Sequence, residues 1–310
     1  MTPEASRRFL IVTGKGGVGK TTVCAAEAQA LATKGKRVLI AMCHAKERLS
    51  TMFGSAPIGP EVVPVAPNIW AVNMEPSKAI EEYGLMTLKV RLLYKTVFDN
   101  KYTRAFLHAV PGLEEWAMLG KAWWHTSEKG EDGALKYDVV ILDAPATGHG
   151  LDMLRVPKII VEVVPAGILR RDAETAQTLF RDPARCGVIL VTLPEEMPVT
   201  ETIELASALT HELSLPLAKV VVNGVLPPLF SKGERAALLD ASGHDGVPVA
   251  GADAAIAAGQ ARSTRENVQA ESLARLSQAP ALANVPTSFL PLLFEDASRP
   301  EAIGELAKRI

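Results

Sequence analysis

The sequence predicts an α/β fold: one doubly wound, mostly parallel sheet carrying a helical insert. Three observations lead there. Short apolar runs suited to buried parallel strands, at Arg37–Ala41, Asn68–Val72, Tyr137–Asp143, Val188–Thr192, Ala218–Asn223 and Val285–Leu290, alternate with helical patterns along the chain. The first apolar strand runs straight into a glycine-rich turn and a helix, all within Leu10–Thr22. Tyr137–Asp143 sets four apolar residues directly before an acid, at the end of a strand where such sheets gather their ligands.

The stretch Leu10–Thr22 reads Leu-Ile-Val-Thr-Gly-Lys-Gly-Gly-Val-Gly-Lys-Thr-Thr and fits the pattern G-x-x-x-x-G-K-[ST]. Gly14, Gly16, Gly17 and Gly19 lack Cβ atoms, so the backbone can turn tightly with its N–H groups aimed inward. Together with the positive end of the following helix this makes a polyphosphate cradle, and the chain reads as a P-loop NTPase. Gly14, Lys15, Gly16, Gly17, Val18, Gly19, Lys20, Thr21 and Thr22 are the candidate nucleotide contacts. Lys20 is placed to reach the β- and γ-phosphates of ATP, and the Thr21 hydroxyl to complete a Mg²⁺ shell. Asp143 at its strand end supports the same metal, through water. Lys15 is a second loop lysine with no evident task inside one subunit.

The remaining elements follow in order. Thr22–Thr33 is alanine-rich with helical spacing, and Gly35 closes it. Residues 76–126 read as a predominantly helical insert ending in the polar turn Ser127–Gly133. Ala144–His149 bears proline and glycine and reads as a mobile loop at the γ-phosphate. Residues 157–183 read as a second insert of two short helices, Pro198–Leu213 as a helix, and His244–Gly259 as a Gly/Ala-rich loop. Helices at Arg262–Gln278 and Pro300–Ile310 complete the series. No repeat or linker divides the chain, so 1–310 is read as one domain. Asn223 reads either as an amide that recognises an adenine edge or as a turn residue satisfying local backbone.

Composition narrows the function. The chain has 310 residues, 48% of them hydrophobic, a net charge of −2 and a pI near 6.3. That balance leaves no electrostatic footprint for nucleic acid and no polybasic run for an anionic membrane. Cys24, Cys43 and Cys186 are scattered without a C-x-x-C, which suits a reducing cytoplasm and offers no zinc site. Met1–Arg8 is polar and no signal peptide is expected; Ile159–Leu169, the most apolar segment, contains Glu162 and Pro165 and is too short to be an integral membrane segment.

The signature K-G-G-V-G-K-T-T at Lys15–Thr22 resembles that of the deviant P-loop ATPases. In that family the first lysine crosses a dimer interface to the partner's nucleotide, which implies a dimer for this chain and a catalytic role for Lys15 beside Lys20. Within the class, Asp143–Pro157 is similar to the switch II segment of the branch holding the arsenite-pump ATPases and the ATPases that deliver tail-anchored membrane proteins, and the chain is identified as a bacterial member of that branch. Thr192-Leu-Pro-Glu195 followed by Glu201-Thr202, Val221-Val-Asn-Gly224, Pro111-Gly-Leu-Glu-Glu115 and Pro291-Leu-Leu also resemble branch segments, and the second of these, similar to the adenine-side strand, strengthens the adenine reading of Asn223. Phe294 stands where a proline is common.

The departures bear on activity. A gapless alignment puts His44 where the branch has the switch I aspartate that positions water, with Glu47 three residues on. His44 is a catalytic candidate or merely a loop residue. The branch's clustered cysteines, zinc motif and methionine-rich groove have no counterpart, although Leu85, Met86, Leu92, Leu93, Phe106, Leu107, Trp116, Met118, Leu119, Trp123 and Trp124 in the first insert read as core packing or as a small client groove.

Two functions compete. One is a Mg²⁺-dependent ATPase dimer coupling nucleotide state to a protein or hydrophobic client. The other is a weakly active or non-hydrolysing nucleotide-binding subunit that pairs with an active paralogue as a heterodimer. A septum-positioning ATPase needs a basic amphipathic terminal helix, and Pro300–Ile310 is a poor one.

Overall fold

A computed structural model of the chain describes residues 7–88, 112–240, 251–294 and 298–310. The strands are β1 (Phe9–Thr13), β2 (Val38–Cys43), β3 (Val63–Ala66), β4 (Ile69–Met74), β5 (Val139–Asp143), β6 (Cys186–Thr192), β7 (Leu217–Val225) and β8 (Thr287–Pro291). They form one sheet in the order β3-β4-β2-β5-β1-β6-β7-β8. Neighbours run parallel throughout, except that β3 and β4 are antiparallel. The fold is the expected doubly wound α/β sheet.

The helices are α1 (Lys20–Thr33), α2 (Leu49–Phe53), α3 (Pro76–Leu88), α4 (Leu113–His125), α5 (Thr147–Val163), α6 (Ile168–Arg181), α7 (Glu196–Ser207), α8 (Lys232–Asp240), α9 (Ala252–Ser277) and α10 (Pro300–Ala307). A π-helical turn, Ala208–Glu212, extends α7. The four central strands β2, β5, β1 and β6 are buried along their whole length, because a strand apolar on both faces must be covered on both. Alternation divides them between two layers. Phe9 and Ile11 face a layer with Trp116, Met153, Phe180 and Leu205, from α4 to α7. Leu10 and Val12 face the other, with Cys24, Leu31, Met52 and Ile303 from α1, α2 and α10. Between α1 and β7, Lys219 Nζ lies 2.7 Å from Glu27 Oε2, with both side chains under 5% exposed.

Three readings are corrected. Thr147–His149 is not a mobile loop but the first turn of α5, whose Gly150 N–H donates to the Ala146 carbonyl. Nor does Pro157 begin a helix: it lies inside α5. A proline there forfeits one backbone hydrogen bond, but buried Met153, Leu154, Val156 and Ile160 pin the helix to the sheet on both sides of it. The part of His244–Gly259 from Ala252 onward is helical, opening α9 after Gly251. Its alanines carry the highest helix propensity and outweigh Gly259, which packs on Leu238. Residues 244–250 lie outside the described residues. The antiparallel strand β3, with Pro64 inside it, and the short helices α2 and α8 carry too little pattern to be read from sequence. Among the described residues no helix is long and apolar enough to cross a membrane.

Candidate nucleotide-binding site

β1 and β5 are neighbours, and both end at one edge of the sheet. The glycine-rich loop leaves β1 there and Asp143 ends β5. Gly14 passes so close to β6 that a Cβ would stand 2.2 Å from the Val191 carbonyl oxygen. Gly19, at φ 90°, caps α1 where a Cβ would meet Asn223 Nδ2 at 2.3 Å. Only glycine fits either position. A Cβ on Gly17 would meet nothing within 4 Å, so the mouth of the loop is open. No side chain caps α1 and no acid occupies its first turn, which leaves its amide groups and positive dipole end facing that mouth.

Lys20 begins α1 and folds back over the loop, its Nζ donating to the Gly14 and Lys15 carbonyls at 3.2 Å each. Burial lowers its pKa, while the Asp143 charge opposes that shift. The Thr21 hydroxyl donates to Asp143 Oδ2 at 2.6 Å. Burial pushes the Asp143 carboxyl above the ordinary carboxylate range, against the Thr21 bond, the Lys20 charge and a bond from the Cys24 thiol. A half-buried hydroxyl and a buried carboxylate side by side, both oxygen donors, suit a hard divalent cation such as Mg²⁺. The open glycine cradle beside them suits phosphate.

Lys15 has a partner inside its own subunit, contrary to the expectation of none: its Nζ lies 2.6 Å from Glu201 Oε1 on α7. Asn223 sits on β7 and donates through Nδ2 to the Val18 carbonyl at 2.9 Å. The turn reading does not hold: Asn223 lies in a strand and its amide satisfies the distant P-loop backbone rather than a local turn. Val18 is buried within the loop, Gly16 is exposed at its mouth, and Thr22 is half-buried in the first turn of α1.

His44 follows β2 with an exposed imidazole and φ 46°, its N–H donating to the Met74 carbonyl. Asn73 on β4 holds the next residue from both sides, accepting from Ala45 N–H at 3.1 Å and donating to the Ala45 carbonyl at 2.9 Å. Glu47 accepts from the Ser50 N–H at 2.8 Å and hydroxyl at 2.7 Å, so its carboxylate is committed to the start of α2. Sequence reasoning missed Glu201, Asn73 and the Cys24 contact. None carries a local signature, since each acts through a residue 28 or more positions away. Trp116, Met118 and Leu119 are buried core, Trp123 is half-buried and Trp124 exposed. Leu92, Leu93, Phe106 and Leu107 lie outside the described residues, as do the side chains of Leu85 and Met86.

Comparison with known proteins agrees with this geometry. Residues 7–168 match the family described as Anion-transporting ATPase. A putative arsenical pump-driving ATPase of Halobacterium salinarum is 31% identical over 244 residues, covering 73% of this chain and 37% of that protein. ATPase BagA of Mycobacterium tuberculosis is 28% identical over 227 residues, 71% of this chain and 66% of its own. ATPase GET3B of Arabidopsis thaliana is 24% identical over 281 residues, 74% and 67%. The chain thus spans from about a third to two thirds of the length of these relatives. With a P-loop, its α1 helix and the β5 acid all inside the matched region, the chain belongs to the anion-transporting ATPase family.

Proposed function

We propose that this chain is a Mg²⁺-dependent ATP-binding and ATP-hydrolysing switch that works as a dimer and couples nucleotide state to a protein or hydrophobic client. The observation that carries the reading is the 2.6 Å bond from Thr21 to Asp143, which joins the P-loop helix to the β5 acid. The P-loop amides from Gly14 to Thr22 hold the phosphates, and Lys20 leaves its two carbonyl partners for the phosphate oxygens. Thr21 and Asp143 hold Mg²⁺, with Asp143 acting through water; the ion offsets phosphate charge when bound. Asn223 on β7 holds the loop through Nδ2 and Val18, leaving its amide oxygen to accept from an adenine edge. Lys15 exchanges Glu201 for the nucleotide of the partner subunit. The chain is read as one ATPase domain, with α3 and α4 belonging to a first helical insert at 76–126 and α6 to a second at 157–183, whose first residues continue α5.

A groove of about 530 Å³ between α4, α5 and the start of α6 supports the client. Leu113, Val156, Ile159, Ile160, Val163 and Leu169 line it. Ile159 is 51% and Val163 74% exposed, an unusual display for aliphatic residues on a packed helix. A lipid tail, a short helix or a partner protein fits this size better than a long transmembrane segment.

One observation favours the second reading, a weakly active or non-hydrolysing subunit paired with a paralogue. The gapless alignment puts His44 at the position of the switch I aspartate, and the nearby Glu47 carboxylate is already engaged by Ser50. Sedimentation of the pure chain with and without ATP and Mg²⁺, alongside nucleotide binding, tests the proposal. A nucleotide-dependent homodimer is expected, and binding without self-association would turn the reading towards a paralogue.

A further inference from the structure

The N-terminal edge of the sheet, opposite the P-loop, carries an unusual arrangement of charge. Four strands start there side by side in the order β2-β5-β1-β6, each preceded by a charged residue: Arg37, Asp138, Arg8 and Arg185. Arg37 and Asp138 satisfy each other. Both Asp138 oxygens accept from the Arg37 guanidinium, at 3.0 and 3.2 Å, and one also accepts from its N–H at 2.9 Å. Arg8 and Arg185 are like charges held together by the sheet itself, since the Arg8 and Phe9 N–H groups both donate to the Arg185 carbonyl. Arg8 reaches the Thr126 carbonyl, a neutral acceptor, and among the described residues no ion pair is formed by Arg8, Arg171 or Arg185. Burial and then the Arg185 charge lower the Arg8 pKa, against a weaker opposing influence from Asp138.

These guanidiniums open into a cavity of about 520 Å³ whose far wall is α6. Arg171 joins Arg8 and Arg185 in lining it, and the apolar part of the wall includes Trp123, Leu135 and Leu179. The one lining carboxylate, Glu174, is bonded to Arg170 at 3.0 Å. With Glu174 paired to Arg170, three guanidiniums remain without an ion pair among the described residues, a surplus of about three positive charges that more than offsets a phosphate monoester of charge about −1.5 to −2. The guanidinium fork fits phosphate oxygens in pairs, and the indole and leucines offer the rest of such a ligand an apolar seat.

We propose that this cavity binds a small molecule carrying a phosphate monoester, held by Arg8, Arg171 and Arg185 and seated against Trp123. It is a second anion site, at the opposite end of the sheet from the nucleotide. Its occupancy removes the repulsion between Arg8 and Arg185, so binding stabilises the folded chain.

The test uses phenyl phosphate as the probe, titrated into the full chain with the P-loop saturated by ADP and Mg²⁺ and followed by calorimetry. The wild type should bind it, and phenol should not bind. Arg171→Glu with Arg185→Glu, both exposed positions, should weaken binding at least tenfold while ADP affinity stays unchanged. Thr175→Trp, which fills the groove without altering charge, should also weaken it. No binding to the wild type, or equal binding to the wild type and the folded variants, would overturn the proposal.

Discussion

Lys15 Nζ and Glu201 Oε1 lie 2.6 Å apart within one subunit, tying the P-loop to α7. If Lys15 acts across a dimer interface, Glu201 competes with the partner's nucleotide for it. Glu201→Gln is expected to free the lysine. A half-exposed ion pair is worth about 0.2–1 kcal/mol and two open per homodimer, so the ATP-dependent dimerisation curve should move to roughly 2- to 30-fold lower protein concentration. Sedimentation measures the shift, and an unmoved curve would show that the pair does not restrain Lys15.

Asn223 and Gly19 form one unit. Asn223→Ala removes the bond to the Val18 carbonyl and should weaken ATP binding by about 0.5–1.5 kcal/mol without unfolding the chain. Gly19→Ala places a methyl group against the Asn223 amide at a left-handed φ, and should abolish binding. Fluorescence titration with a labelled nucleotide separates the two outcomes.

The Lys219–Glu27 pair is a stability device. Lys219→Met leaves a carboxylate buried without its cation, and should cost about 3–5 kcal/mol in chemical denaturation. Adding Glu27→Leu should recover much of that loss. If the double variant is no more stable than the single one, the pair is not what the interior depends on.

Glu266 governs part of the acid response. Burial alone would raise its carboxyl, but bonds from the Arg262 guanidinium, the Leu229 N–H and Arg235 outweigh it and hold the group at about 2. The folded value lies below the unfolded one, so the charged form favours the fold. Its contribution is complete above about pH 4.5 and is lost as the pH falls towards 2. Denaturant midpoints at pH 7 and pH 3 should therefore diverge more for the wild type than for Glu266→Gln.

How much of this was legible in the sequence differs by element. The central strands were readable because burial on both faces demands continuous Val, Ile and Leu, and the P-loop because its glycines answer to backbone geometry. The start of α5 was not: Pro145, Gly148 and Gly150 signal a loop locally, and packing of Met153 and Leu154 against the sheet decides otherwise. Ala252–Gly259 misled in the same way, glycine and small residues masking helix-forming alanines. Within the site, Lys20, Thr21 and Asp143 were found by motif, and the structure brings them together. Glu201 and Asn73 were out of reach because their significance lies in what the fold sets beside them.

The measurement that bears most directly on the central claim is phosphate release from ATP and Mg²⁺ by the purified chain, with nucleotide binding followed in parallel and Lys20→Ala as control. The account predicts turnover by the wild type that disappears with Lys20→Ala. Turnover that persists in the variant would place the activity outside this site, and tight binding with no turnover in the wild type would contradict hydrolysis by this chain alone.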